Sequence, residues 1–134
     1  IPILQCREIV QAPTITRVPE APDHVRGVVN LRGRVLPAVD TRKCLGYEAS
    51  PPTARSRLLV VEVAGHAFAL LVDRVARILK LAVADIAPPP EPASLRSAIG
   101  VAHDGDAVIY LTDAERILRP GHAAEASVPR SDDA

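Results

Sequence analysis

Val25-Arg26-Gly27-Val28-Val29-Asn30-Leu31-Arg32-Gly33-Arg34-Val35-Leu36-Pro37-Ala38-Val39-Asp40 decides the reading of this chain. Two β-branched runs, Val28-Val29 and Val35 to Val39, flank Asn30-Leu31-Arg32-Gly33. Asn and Gly tolerate the left-handed backbone that a tight reversal needs, so the stretch reads as strand, turn and strand. Arg32 then sits at a turn between two stiff strands, where its planar fork can meet a carboxylate or a partner's backbone.

Upstream, Ile3 to Val10 reads as a strand, and Gln11 to Asp23 carries Pro13, Pro19 and Pro22, which makes it an extended connection. Ala21 to Val25 has the makings of one helical turn closed by Gly27. Downstream, Asp40 is placed to cap a short helix, Thr41 to Leu45, stopped by Gly46. A loop over 48–56 holds Pro51-Pro52 and divides the chain into two lobes. Leu58 to Val63 and Ala67 to Val72 then form a hairpin around Ala64-Gly65-His66. Arg74 to Leu81 has helical spacing at Val75, Ile78 and Leu79. Pro88-Pro89-Pro90 and Pro92 mark a stiff exposed loop.

Ala98 to His103 and Ala107 to Thr112 flank Asp104-Gly105-Asp106, a second hairpin. Asp113 caps a last helix, Ala114 to Arg119, with Glu115 early and Arg119 late as the helix dipole favours. Residues 120–134 are polar and Ala-rich, the composition of a disordered tail. Many short strands with Gly and Pro turns argue for small barrels. No internal repeat stands alone, yet both halves read as a hairpin followed by a short helix opened by an Asp.

Hydrophobic residues make up 48% of the chain, but its aromatics are only Tyr47, Phe68 and Tyr110, so the core must be Val, Leu, Ile and Ala. Net charge is zero, which gives no electrostatic reason to expect nucleic acid or an anionic membrane surface. No apolar run approaches a membrane span. Cys6 and Cys44 form no Cys-x-x-Cys pair and read as reduced, partly buried thiols. His24, His66, His103 and His122 are scattered without metal-ligand spacing and read as surface residues. The abrupt Ile1-Pro2-Ile3-Leu4 opening suggests a missing upstream segment.

The run from Gly27 to Asp40 resembles the signature of CheW-like chemotaxis coupling domains, with Gly27, Val28, Asn30, Leu31, Arg32, Gly33, Pro37, Val39 and Asp40 on the pattern. The likeness continues through Glu8-Ile9, Thr16 to Pro22, Val72-Asp73 with Val75, Asp85-Ile86, Ile99-Gly100-Val101, Leu111-Thr112-Asp113 and Ile117-Leu118. It implies an all-β fold of two small five-stranded SH3-like barrels packed together, with short connecting helices and a short C-terminal helix. The domain is then 1–119, with a tail at 120–134. For Arg74 to Leu81 the resemblance implies an irregular strand, and that reading is adopted over the helical spacing.

The family normally begins with one more strand before the position of Ile1, and a barrel short of a strand exposes an unpaired edge. Cys6 replaces a usually β-branched or other apolar residue, which fits a small apolar site. Thr112 is a milder change from an apolar residue.

By resemblance the chain is a non-catalytic adaptor without cofactors. Such adaptors act in the cytoplasm beside membrane receptor arrays, without inserting in the membrane. They bind the cytoplasmic tip of methyl-accepting chemoreceptors and the regulatory domain of a CheA-type histidine kinase.

The partner-facing set it implies is Cys6, Glu8, Asn30, Arg32, Gly33, Val75 and Ile78, with Arg32 beside Glu8. Taken by themselves, Asn30 and Gly33 read as turn residues, Val75 and Ile78 as core, and Asp40, Asp73 and Asp113 as caps or turn closers. No Gly-x-Ser-x-Gly, Gly-Lys-Ser/Thr phosphate loop or His-Glu-x-x-His is present, so enzyme readings fail. Two alternatives remain. One is a CheW-like regulatory module from a larger kinase or receiver-fused scaffold. The other is a small-barrel nucleic-acid binder, which the scarcity of stacking aromatics opposes.

Overall fold

The computed structural model describes residues 1–89 and 98–118. A 3-10 turn at Ile3–Gln5 leads into β1 (Cys6–Gln11), then β2 (Val25–Leu31) and β3 (Arg34–Asp40) form a hairpin that runs into α1 (Thr41–Cys44). β4 (Arg57–Val63) and β5 (His66–Val72) form the next hairpin. A 3-10 turn at Val83–Asp85 precedes β6 (Gly100–Asp104), β7 (Ala107–Leu111) and α2 (Ala114–Leu118).

β1 to β5 form one sheet in the order β1-β4-β5-β3-β2, antiparallel except where β3 meets β5 over Ala38, Val39 and Asp40. The sheet is buried on both faces. Val29, Leu36, Ala38, Leu58, Val60, Ala69 and Leu71 form a core on one side. Val39, Val61 and Leu70 turn to the other, where Cys44 of α1 and Ala114 and Ile117 of α2 cover them. Two buried faces explain why Leu58-Leu59-Val60-Val61 and Ala69-Leu70-Leu71 are unbroken apolar runs without the alternation of a half-exposed strand.

Burial pushes the Cys44 thiol up to about 12, with the Asp40 carboxylate adding to the shift. Native protein at pH 8 should therefore modify at Cys6 with an aromatic disulfide reagent, and Cys44 should react only after denaturant is added. Two fast-reacting thiols in the native chain would contradict the packing of α1.

Both short helices start as the sequence reading requires. Asp40 Oδ1 accepts from Arg42 N at 3.0 Å, and Asp113 Oδ1 accepts from Arg116 N at 2.8 Å. Asp73 instead pairs with Arg42 at 2.6 Å, tying α1 to the end of β5. Gln5 adds a cap that its sequence context does not announce: its Oε1 accepts from Ala114 N at 2.8 Å.

Several expectations need correction. In place of two five-stranded barrels, the described residues give one five-stranded sheet and the two-stranded β6–β7. Among the described residues 74–82 joins no strand ladder, and beyond its pairing with β7, β6 gains only the isolated bridge Ala87↔Val101. Arg74 to Leu81 is thus neither helix nor strand. Val75 and Ile78 are not core residues but 41% and 70% exposed.

The loop over 48–56 joins strands of the same sheet, since β1–β3 precede it and β4–β5 follow. Ala21 to Val25 makes a turn, with Val25 N donating to Pro22 O at 2.9 Å, and Gly27 lies inside β2. Arg119, the tail at 120–134, Pro90, Pro92 and His122 fall outside the described residues.

His66 and His103 are exposed as expected, whereas His24 is half-buried, its carbonyl accepting from Asp40 N at 2.7 Å. Burial lowers the His24 pKa below its usual 6.5, with the Asp23 carboxylate opposing. The unfolded chain then binds the proton more readily than the folded one. This stabilising contribution is complete above the unfolded value and is lost as pH falls below it. Urea unfolding of His24→Gln between pH 7.5 and 5.5 should show a shallower loss of stability than the parent; identical slopes would contradict this placement.

The two halves share more than the sequence reading discerned. Gly27 to Asp40 and Gly100 to Asp113 align without a gap: glycine, strand, two-residue turn, strand, capping Asp. Each glycine is followed by a valine making an isolated bridge to an upstream segment, Thr16↔Val28 and Ala87↔Val101.

Candidate partner-binding site

At the tip of β2–β3 the reversal consists of Arg32 and Gly33, both left-handed, with φ of 55° and 82°. That is the type I′ pattern, whose twist matches the flanking strands. The sequence reading assigned Asn a left-handed role; Asn30 instead stays in β2, and its Oδ1 accepts from Gly33 N at 3.0 Å. The non-glycine left-handed position falls to Arg32, a conformation that costs an ordinary residue about 1–2 kcal/mol and costs Asn or Gly less. The β4–β5 reversal has the same pattern at Ala64 and Gly65, with φ of 53° and 81°, so the conformation belongs to the two-residue turn and Arg32 is the residue it places at the tip.

Arg32 reaches across the curled sheet to the other edge strand. Its Nη2 lies 2.6 Å from Glu8 Oε2. The Arg32 side chain is 81% exposed and that of Glu8 29%, so the pair contributes at most about 1 kcal/mol to stability. Its effect is orientation. Glu8 follows a register shift in the β1–β4 ladder between Cys6 and Glu8. Such a bulge re-aims side chains, and Arg7 beside it pairs with Glu62 at 3.0 Å. Cys6 pairs with Val61 and Glu8 with Val60, which serve opposite cores, so the bulge turns Cys6 to the other face of β1 from Glu8, and its thiol donates to the Glu8 carbonyl at 3.5 Å.

Cys6, Glu8, Asn30, Arg32 and Gly33 therefore belong to one end of the five-stranded sheet. Val75 and Ile78 do not join them. β5 ends at Val72, paired with Arg57, which also pairs with Gln11 at the far end of β1. The segment carrying Val75 and Ile78 leaves the sheet there and is tied to β6 by the Arg77–Asp104 ion pair.

Local sequence also missed Arg26. Its Nε lies 3.2 Å from the Oδ2 of Asp40, whose side chain is 2% exposed, and its Nη2 donates to Ser50 O at 2.6 Å. Neither Nε nor Oδ2 is aligned for a hydrogen bond, so the attraction is electrostatic. This pair lines a cavity of about 780 Å³ walled by Ile15, Val18, Pro19 and Pro22. Among the described residues no group of three or more His, Cys, Asp or Glu could hold a metal ion, and no helix is long and apolar enough to cross a membrane.

The family model of the CheW-like domain matches residues 1–120. The chain belongs to the CheW-like family. It is 45% identical over 92 residues to the chemotaxis protein CheW of Rhizobium meliloti, a match covering 69% of this chain and 59% of that protein. With the chemotaxis protein CheW of Helicobacter pylori it is 35% identical over 121 residues, covering 89% and 73%. The crystal structure of the scaffolding protein TtCheW of Thermoanaerobacter tengcongensis matches with a TM-score of 0.79 at 28% identity, over 87% of this chain and 77% of that one. The chain thus spans three fifths to three quarters of the length of these CheW-like proteins.

Proposed function

We propose that the chain is a non-catalytic adaptor of the bacterial chemotaxis type. It couples the cytoplasmic tips of methyl-accepting chemoreceptors to the regulatory domain of a CheA-type histidine kinase, in the cytoplasm beside receptor arrays. The kinship to proteins named CheW supports the class of function. The observation that carries the site is the Glu8–Arg32 pair, presented on a strained, exposed turn. An arginine held this way offers its remaining N–H donors to a partner's carboxylates. Cys6, Asn30 and Gly33 shape that surface, and Val75 and Ile78 offer a separate apolar contact.

The test is calorimetric titration of the chain with a soluble chemoreceptor cytoplasmic fragment, with the kinase regulatory domain, and with ATP. Both proteins should bind, both together should co-elute with the chain, and ATP should give no heat. Binding of neither protein, or a stoichiometric ATP complex, would overturn the reading.

A further inference from the structure

A strand ordinarily sends neighbouring side chains to opposite faces. The bulge at the start of β1 breaks that alternation. Cys6 pairs with Val61 and Glu8 with Val60, which leaves Arg7 as the extra residue between them. Glu62 stands two residues from Val60 and shares its face, and Arg7 Nη2 donates to Glu62 Oε1 at 3.0 Å. Arg7 and Glu8, adjacent in sequence, therefore serve one face of the sheet, that of the core around Val29, Val60 and Ala69. β3 and β5 run parallel, so the reversals that open them lie at the same end of that core. Two ion pairs rim this end, Arg7–Glu62 and Arg32–Glu8.

The two pairs share an asymmetry. In each the guanidinium is the more exposed partner, 81% against 29% for Arg32 and Glu8, and 64% against 45% for Arg7 and Glu62. The carboxylates lie inward and hold the arginines, and a guanidinium has more donors than one carboxylate contact uses. The layer that meets a partner is thus two sets of free N–H donors.

We propose that Arg7 is a second binding arginine of this site, which takes a receptor segment presenting two carboxylates, one to Arg32 and one to Arg7. Charge complementarity selects that occupant, since the planar fork matches a carboxylate best. The inference rests on the adaptor reading and deepens it, by naming what the receptor segment must carry. Arg7 has one other route of influence, holding the bulge that aims Glu8. Glu62 separates the two routes, because removing its charge frees Arg7 without deleting it.

The experiment measures the Kd of the soluble chemoreceptor cytoplasmic fragment at low and high salt for the parent, Arg7→Gln, Arg7→Lys and Glu62→Gln, with a thermal unfolding curve for each. Arg7→Gln should bind about tenfold more weakly and with a shallower salt dependence. Arg7→Lys should keep the salt dependence and recover part of the affinity. Glu62→Gln should bind at least as tightly as the parent. Equal weakening by Arg7→Gln and Glu62→Gln would reduce the pair to a support for the bulge and overturn the inference. Parental affinity in folded Arg7→Gln would also overturn it, while the adaptor reading stands because the fragment still binds. If the parent does not bind the fragment, both fail. Should Arg7→Gln not fold, Glu62→Gln decides alone, and weakened binding there counts against the inference.

Discussion

Asp40→Ala is expected to lose about 3–5 kcal/mol of stability, seen as a lower urea midpoint at unchanged slope. Two separate losses combine. The α1 cap disappears with the Oδ1 acceptor of Arg42 N, a loss of about 1 kcal/mol. The larger loss is the desertion of Arg26, whose buried Nε then has no counter-charge. A buried ion pair adds little net stability when intact but is damaging when half-removed. Asp40→Asn retains an acceptor for the cap and should lose less. Arg26→Leu combined with Asp40→Asn should recover much of the deficit, because no charge remains stranded. A neutral Asp40→Ala would contradict this account of the buried pair.

Gly27→Ala should cost about 2–4 kcal/mol, by a mechanism unrelated to the usual entropy of glycine replacement. Gly27 lies in β2 with φ of 150°, and a Cβ there would stand 2.1 Å from the carbonyl oxygen of Thr16. That oxygen accepts from Val28 N at 2.8 Å, so relieving the clash breaks the bridge that pins the proline-rich connection to the sheet. Gly33→Ala provides the contrast. Nothing lies within 4 Å of a Cβ at Gly33, and only its φ of 82° opposes the change, so about 1–2 kcal/mol is expected. Equal losses at the two glycines would refute the close approach of Thr16.

These two sites show what a local pattern can and cannot convey. The β2–β3 and β4–β5 hairpins, both Asp caps and the proline-rich connection were legible because turn and capping chemistry acts within a few residues. Gly27 was read as the closer of a helical turn because its constraint comes from Thr16, eleven residues upstream and adjacent only after folding. Arg26 and Gln5 were missed for the same reason: their partners Asp40 and Ala114 are remote in sequence. The spacing of Val75 and Ile78 suggested burial, but burial requires a surface to cover, and 74–82 has no ladder to hold it.

The candidate site was legible in residue identity and less so in geometry. Arg32 and Glu8 were paired through the family resemblance, and the structure supplies the bond and the left-handed backbone that carries it. That Asn30 would hold the turn with its side chain, leaving the strained position to Arg32, follows from the register of the hairpin and not from composition.

The central proposal is that Arg32, held at the β2–β3 tip beside Glu8, is a binding residue through its exposed guanidinium. The most direct test is the affinity of the chemoreceptor cytoplasmic fragment for Arg32→Glu, Arg32→Asn, Glu8→Arg and the double reversal, each with its thermal unfolding curve. The Arg32 variants should unfold within about 1 kcal/mol of the parent, Arg32→Asn at or slightly above it. Arg32→Glu and Arg32→Asn should nonetheless weaken binding at least tenfold, about 1.4 kcal/mol or more. On the proposal that the guanidinium meets the receptor and not only Glu8, the double reversal should remain defective. Full binding by folded Arg32→Glu would contradict the account.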